Sequence, residues 1–362
     1  MVSSVGLLTR VLLLQTLLMS ASLGSVTALD EEAFYLTNQV SGERMMSHVI
    51  ALASFGTRYV GTEGANMSAE FLHRYFTSMG LDAAFHPFVP GDGLSGRNVV
   101  ATKNGAGSCD EYVLLFAHYD SISDAPTLSA PGANDNACGV AVMMEAALIM
   151  SGGSWNRTVM FIAFSGEEVG FIGSSAWVNE NSRILGRIVG AICVDGVGRG
   201  RGISILFSDE ESEDLANLVY DASIALGFAS FKAVAGSSGV RGSDSGAFLG
   251  RGLRVVRLWD WDTAFIHSSA DTPDTLSPVR LVETAKVTLA TLYALATKPL
   301  EAILPERQTP QLDRGALGLT VLLPTIGLVS AVLLFLVLRH SKGGRFERRS
   351  LRRDAAAGHL RS

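Results

Sequence analysis

Residues 113–139 read VLLFAHYDSISDAPTLSAPGANDNACG. A continuous apolar run, 113–117, stops at His118 and Asp120. A polar loop follows, then Asn134-Asp135-Asn136, then a helix-like run over 140–150. Two later segments repeat the pattern. TVMFIAF (158–164) stops at Ser165-Gly166-Glu167-Glu168, and IVGAICV (188–194) stops at Asp195-Gly196. Short apolar runs of this kind read as buried parallel strands. Their alternation with helical segments argues for an α/β sheet of βαβ units. Ligands in such sheets bind outside the carboxyl ends of the strands. Chain direction therefore gathers His118, Asp135, Glu167, Glu168 and Asp195 on one rim, and His267 in FIHSSADT (265–272) is the remaining candidate.

Outward from this centre the chain reads as follows. Residues 31–54 read as one helix, and 63–79 as a better one with Gly80 as its C-cap. Strands are expected at 81–89, 97–103, 112–117, 202–207 and 253–258. Helices are expected near 173–178 and at 209–226 and 279–296. The Gly- and Ser-rich segment 234–250, with Arg241, Ser243 and Asp244, reads as a loop, either lining a pocket or on the plain surface. No internal repeat or domain boundary shows.

The chain has 362 residues, 48% of them apolar, and a formal net charge of −6. Both ends inflate the apolar share. Residues 1–28 read as a secretory signal ending in Val26-Thr27-Ala28, with an uncleaved anchor as the alternative. Residues 29–298 form the main domain, and 299–315, with three prolines, a stalk. Residues 316–338 carry no charge and, at roughly 1.5 Å each, are long enough to cross a bilayer core as a helix. The tail 339–362 holds eight Lys/Arg and two acids, net +6, which leaves −12 for residues 1–338. A basic tail after an apolar span is a cytoplasmic anchor of a single-pass type I protein. It argues against a glycolipid-anchor signal, which would end in the apolar tail. It is also a weak case for nucleic-acid binding. Three cysteines, Cys109, Cys138 and Cys193, allow at most one disulfide and offer no zinc-finger spacing. Asn66-Met67-Ser68 and Asn156-Arg157-Thr158 match the glycosylation acceptor pattern.

Taken singly, each rim residue has a structural explanation: a helix cap, a solvated acid pair, a turn or a loop histidine. Together, two histidines and three carboxylates with one glutamate to spare suit zinc, which takes imidazole nitrogen and carboxylate oxygen. A spare glutamate is what metal-assisted hydrolysis needs to accept a proton from water. Asp120, two residues after His118, is placed to orient its imidazole.

Several pieces resemble the co-catalytic zinc aminopeptidases of metallopeptidase family 28, which also contains glutamate carboxypeptidase and glutaminyl cyclase. They are HYDS (118–121), GANDNACG (132–139), GEEVGFIGS (166–174), VDGVG (194–198), GSD (242–244) and HSSADT (267–272). GTR (56–58) with GTEG (61–64) resembles the family's early motif, and the likeness covers roughly residues 40–297. The resemblance implies a three-layer αβα domain with a mixed, mainly parallel sheet. It implies two zinc ions bridged by Asp135, one completed by Glu168 and His267, the other by His118 and Asp195. Glu167 would be the general base, Asp120 would support His118, and the peptide after Asp135 would be strained. The chain departs from the pattern at Cys138, where serine is frequent, and at Ser245, where histidine is common. The family's auxiliary oxyanion donor has no evident counterpart. A sister family inserts a dimerisation domain before the last histidine, but only 71 residues separate Asp195 from His267.

The expected function is a membrane-anchored, extracytoplasmic dizinc exopeptidase, most simply an aminopeptidase acting on peptides with a free N-terminus. The alternatives are a glutaminyl cyclase-like acyltransferase with one zinc and an inactive receptor or scaffold ectodomain. Arg241 is the arginine expected in a pocket loop should the free carboxylate be recognised instead.

Overall fold

A computed structural model describes residues 29–89, 95–126, 128–236 and 238–304. The signal segment, most of the stalk, the apolar span 316–338 and the basic tail lie outside them. Among the described residues no helix is long and apolar enough to cross a membrane.

The strands are β1 (Asp82–Phe88), β2 (Gly96–Lys103), β3 (Tyr112–His118), β4 (Thr158–Phe164), β5 (Ile188–Val194), β6 (Ile203–Phe207), β7 (Phe231–Ala235) and β8 (Val255–Asp260). They form one sheet in the order β1-β2-β4-β3-β5-β8-β6-β7. The central four, β4-β3-β5-β8, run parallel, while β1–β2, β2–β4 and β6–β8 pair antiparallel and β6–β7 pair parallel. The sheet is therefore mixed, with a parallel centre.

The helices are α1 (Glu31–Thr37), α2 (Gly42–Ser54), α3 (Glu63–Ser78), α4 (Cys138–Ser151), α5 (Ile172–Glu180), α6 (Ser182–Leu185), α7 (Glu210–Ala225), α8 (Ser245–Leu249), α9 (Pro278–Thr297) and α10 (Leu300–Ile303). Strand side chains alternate between faces. Val113, Leu115 and Ala117 of β3 join the core that α1, α2, α3, α4, α7 and α9 cover, while Leu114 and Phe116 join the core under α5 and α8. Burial on both faces is why β3, β4 and β5 are apolar throughout. Helix α4, at the centre, is buried almost all round.

Two expectations change. Residues 31–54 are two helices, not one. Glu145, a carboxylate buried in α4, accepts the Ser41 N–H at 2.6 Å and the Arg44 Nε–H at 3.0 Å. A buried charge needs such partners, and Ser41 caps α2 as it turns toward Glu145. Segment 234–250 is not wholly loop. Its start belongs to β7, a short edge strand too exposed to carry an apolar alternation, and its end forms α8.

Candidate metal centre

The parallel strands end on one rim and deliver the side chains in turn. His118 is the last residue of β3, Glu167 and Glu168 follow β4, Asp195 follows β5, and His267 lies in the loop after β8. Asp135 sits in an irregular turn at the start of α4. Its placement is fixed from several sides. Arg58, fully buried, donates to the carbonyls of Tyr119 at 2.7 Å, Pro131 at 2.5 Å and Gly132 at 2.9 Å. Burial pulls its guanidinium pKa down to about 10. Gly132 has φ +50°, and a Cβ there would collide with the Asp135 carbonyl and with Ser121. Asp271 accepts the N–H groups of Asn134 and Asp135, each at 2.9 Å. Asn136 Nδ2 donates to the Val194 carbonyl at 2.9 Å, and its Oδ1 accepts from Gly139 at 3.0 Å and Gly196 at 3.1 Å. This lashes the Asp135 turn to the Asp195 turn. The Asp135–Asn136 peptide, singled out by the resemblance, is cis.

The expected ligands converge. Asp135 Oδ1 lies 3.2 Å from His118 Nε2, and its Oδ2 lies 3.3 Å from His267 Nε2. His118 Nε2 is also 3.4 Å from Asp195 Oδ1, and His267 Nε2 is 3.1 Å from Glu168 Oε2. The ligand atoms of His118, Asp135 and Glu168 lie within 4.8 Å of one another, as do those of His118, Glu167 and Asp195. Distance alone thus does not separate Glu167 from the ligands. What separates it is that each imidazole already has its own pair of carboxylates without it. Asp120 takes the supporting place: its two oxygens accept the N–H groups of Glu167 and Glu168 at 3.2 Å each, and its carbonyl oxygen lies 3.2 Å from His118 Nδ1.

The electrostatics suit a bound dication. Burial would lower the His118 pKa, but Glu167, Asp195 and neighbouring carboxylates raise it well above the ordinary value. Hydrogen bonds that the His267 ring donates to Asp135 and Glu168 lift its pKa to about 10. Burial, with the Asp135 charge, pushes Glu168 up to about 7, and burial pushes Glu167 well up. Glu168 Oε1 is buried without a hydrogen-bond partner. So many buried acids are tolerated when a cation compensates them, and this imidazole and carboxylate set suits zinc.

Other residues at the site had no role assigned from the sequence, although Ser243 and Asp244 lie in the GSD motif (242–244). Arg257 Nη2 pairs with Asp195 Oδ2 at 2.9 Å, and Ser243 Oγ donates to the same oxygen at 2.7 Å. The signal for Arg257 was a lone cation inside the apolar strand VVRLW, since a fully buried arginine needs a partner. Asp244 is fully buried, and burial pushes it up to about 7. Arg241, expected in a pocket loop, is exposed and does not line the cleft. The cleft, about 470 Å³, is walled by the acids, Phe171, Arg257, Trp259, Ile266 and His267.

The profile of Peptidase family M28 matches residues 98–292, more than half of the chain. A "Probable zinc metalloprotease" of Pyrenophora teres f. teres (strain 0-1) is 31% identical over 195 residues, 48% of this chain and 42% of its own. A "Probable leucine aminopeptidase" of Trichophyton verrucosum (strain HKI 0517) is 25% identical over 278 residues, 72% of this chain and 75% of its own. The chain thus spans about half the length of some curated relatives it matches. The solved "Aminopeptidase from Aneurinibacillus sp. strain AM-1" superposes with a TM-score of 0.64 at 16% identity, over 73% of this chain and 96% of that one, which is a likeness of fold. The match runs from β2 into α9 and encloses the rim from His118 to His267, so on sequence, with the fold in agreement, the chain belongs to Peptidase family M28.

Proposed function

We propose that this chain is a membrane-anchored, extracytoplasmic aminopeptidase that holds two zinc ions and releases single residues from free N-termini. The observation that carries the reading is the Asp135 carboxylate, which turns one oxygen to His118 and the other to His267. Asp135, Glu168 and His267 would hold one ion, and His118, Asp135 and Asp195 the other. Bound zinc supplies Lewis acidity at the scissile carbonyl and at water.

The chain's own residues do the rest. Glu167 lines the cleft and is the group that accepts the proton of the attacking water and passes it to the leaving amine. Asp120 fixes the Glu167-Glu168 turn through both backbone N–H groups. Charge decides the substrate end. Among the described residues, four carboxylates and one arginine, Arg257, line the cleft, and Arg257 is held by Asp195. A substrate carboxylate would find no free guanidinium among them, whereas an amine meets acids. Arg251 and Arg254 bond elsewhere, to Asn179 and to the Glu211 and Val189 carbonyls. Phe171, Trp259 and Ile266 suit an apolar side chain, in keeping with the leucine aminopeptidase name of one relative.

A panel of peptides with free and blocked ends tests this. Acetylating the amine is expected to abolish hydrolysis, and amidating the far carboxylate to leave it intact. The reverse result makes the protein a carboxypeptidase. Elemental analysis is expected to give two zinc ions per chain. One ion with cyclisation of N-terminal glutamine points to the acyltransferase, and none points to an inactive scaffold. The anchor rests on the uncharged span and basic tail of the sequence. A chain ended near Arg314 is expected to be secreted and active. External protease on intact cells is expected to remove the enzyme domain and spare the tail; a protected enzyme domain reverses the orientation.

A further inference from the structure

The acids of the cluster are not equally free. Asp195 turns Oδ1 toward His118, but its Oδ2 already accepts Ser243 Oγ–H and Arg257 Nη2–H. Arg257 has no room to withdraw. Its side chain is 8% exposed, its Nη1 donates to the Gly239 carbonyl at 2.7 Å, and its guanidinium lies 4.1 Å from the centroid of the Trp259 ring. Trp259 is itself seated on Gly196, where a Cβ would meet the indole at 2.6 Å. A permanent cation is thus locked onto one oxygen of a ligand carboxylate. The other corner differs. Glu168 Oε1 is buried with no hydrogen-bond partner, and Oε2 faces the His267 imidazole. Among the described residues no arginine or lysine forms an ion pair with Asp135 or Glu168.

We propose that Arg257 makes the two zinc positions unequal, leaving the His118–Asp135–Asp195 position the weaker and the Asp135–Glu168–His267 position the stronger. This rests on the dizinc reading above. Two effects compete. Order favours the first position, because the His118 side chain is 1% exposed and that of His267 is 56% exposed. Charge favours the second, because Asp195 is already neutralised and a fixed cation borders the incoming ion. Charge prevails: repulsion between a dication and a full cation held on a buried carboxylate exceeds the rotamer entropy of one histidine. Arg257 is here a positioning residue that acts through Asp195.

Zinc titration of the chelator-stripped full chain, purified in detergent and read by competition with a chromophoric chelator, tests the proposal. Two steps separated by at least ~10-fold in affinity are expected from the Coulomb repulsion. Arg257→Gln keeps N–H donors and removes the charge. It is expected to tighten the weaker step by about 10-fold, whereas Arg257→Lys keeps the gap. Loss of an outer partner that merely orients a ligand costs affinity, ~10–100-fold. A weaker step that loosens in folded Arg257→Gln therefore overturns the proposal. Equal binding of two ions by the unaltered chain overturns it while leaving the dizinc reading standing. Should Arg257→Gln not fold, Glu168→Gln serves: the tighter step is expected to vanish and the weaker to persist, and survival of the tighter step overturns the assignment. A chain that binds no zinc sinks the dizinc reading itself.

Discussion

His118 and His267 face the same carboxylate, Asp135, at nearly the same distance, yet the protein builds the two corners differently. His118 ends a buried strand, and its partner Asp195 is held by Arg257 and Ser243. His267 sits half-exposed on a loop at φ +57°, in the left-handed region that residues with a Cβ rarely occupy. Its partner Glu168 keeps one oxygen unbonded. One corner is finished by protein groups alone. The other is complete in charge only once a cation arrives. The lesson is that ligand identity does not determine how far a site is assembled before its metal binds.

The largest effect expected is at Glu167, which belongs to neither corner. Glu167→Gln cannot accept the proton, and turnover should fall by about 100–10,000-fold with zinc content unchanged. Near-normal turnover would dissolve the distinction between base and ligands, since distance alone does not make it.

Stability should then separate the corners. In the metal-free chain, His118→Ala leaves Asp135 and Asp195 beside an emptied buried position, and removing one partner of a buried pair costs roughly 3–5 kcal/mol. His267→Ala acts at an exposed loop, where such pairs are worth about 0–1 kcal/mol. Denaturant melts of the two variants read the difference directly. Equal losses would mean that the His267 corner is as preassembled as the other.

A smaller effect lies in pH. Glu168 and Asp244 are raised from 4.5 and 3.8 to about 7, so their protonated forms favour the folded state. Their stabilisation is complete below the unfolded values and is lost as pH rises through 7. His267, raised from 6.5 to about 10, loses its share over that higher window. Asp195 is held below its ordinary value: burial would raise it, but Arg257 and His118 lower it further, so its contribution is constant above pH 4. The metal-free chain should therefore weaken between pH 5 and 8, by about 1.4 kcal/mol per group for each pH unit that lies between its unfolded and folded values. Saturating zinc should flatten or reverse the trend, because its ligands must be deprotonated. A melting temperature of the metal-free chain that rises across this range counts against the charge imbalance.

The smallest change is Ser243→Ala, which removes one of the hydrogen bonds that the Asp195 carboxylate accepts and leaves Arg257 in place. Roughly 1.5–3 kcal/mol of stability should be lost, the range for a hydrogen bond to a charged group. A much greater loss would mean that Ser243, not Arg257, holds the finished corner.

The sequence by itself determined the parallel centre of the sheet and the rim on which the acids and imidazoles gather. The reason is that continuous apolar runs encode burial on both faces, and chain direction then assigns every strand end to one edge. His118, Asp135, Glu167, Glu168 and Asp195 were legible for that reason, and His267 from its place in the motif order. The break between α1 and α2, the edge strand β7, and the parts played by Arg257, Ser243 and Asp271 were not. Each depends on a partner far along the chain: Glu145 lies 104 residues from Ser41, and Asp271 lies 137 from Asn134. Local periodicity carries no information about such pairings. Only the tertiary structure decided which buried polar group would meet which, because burial is what makes an unpartnered charge intolerable and so selects the partner.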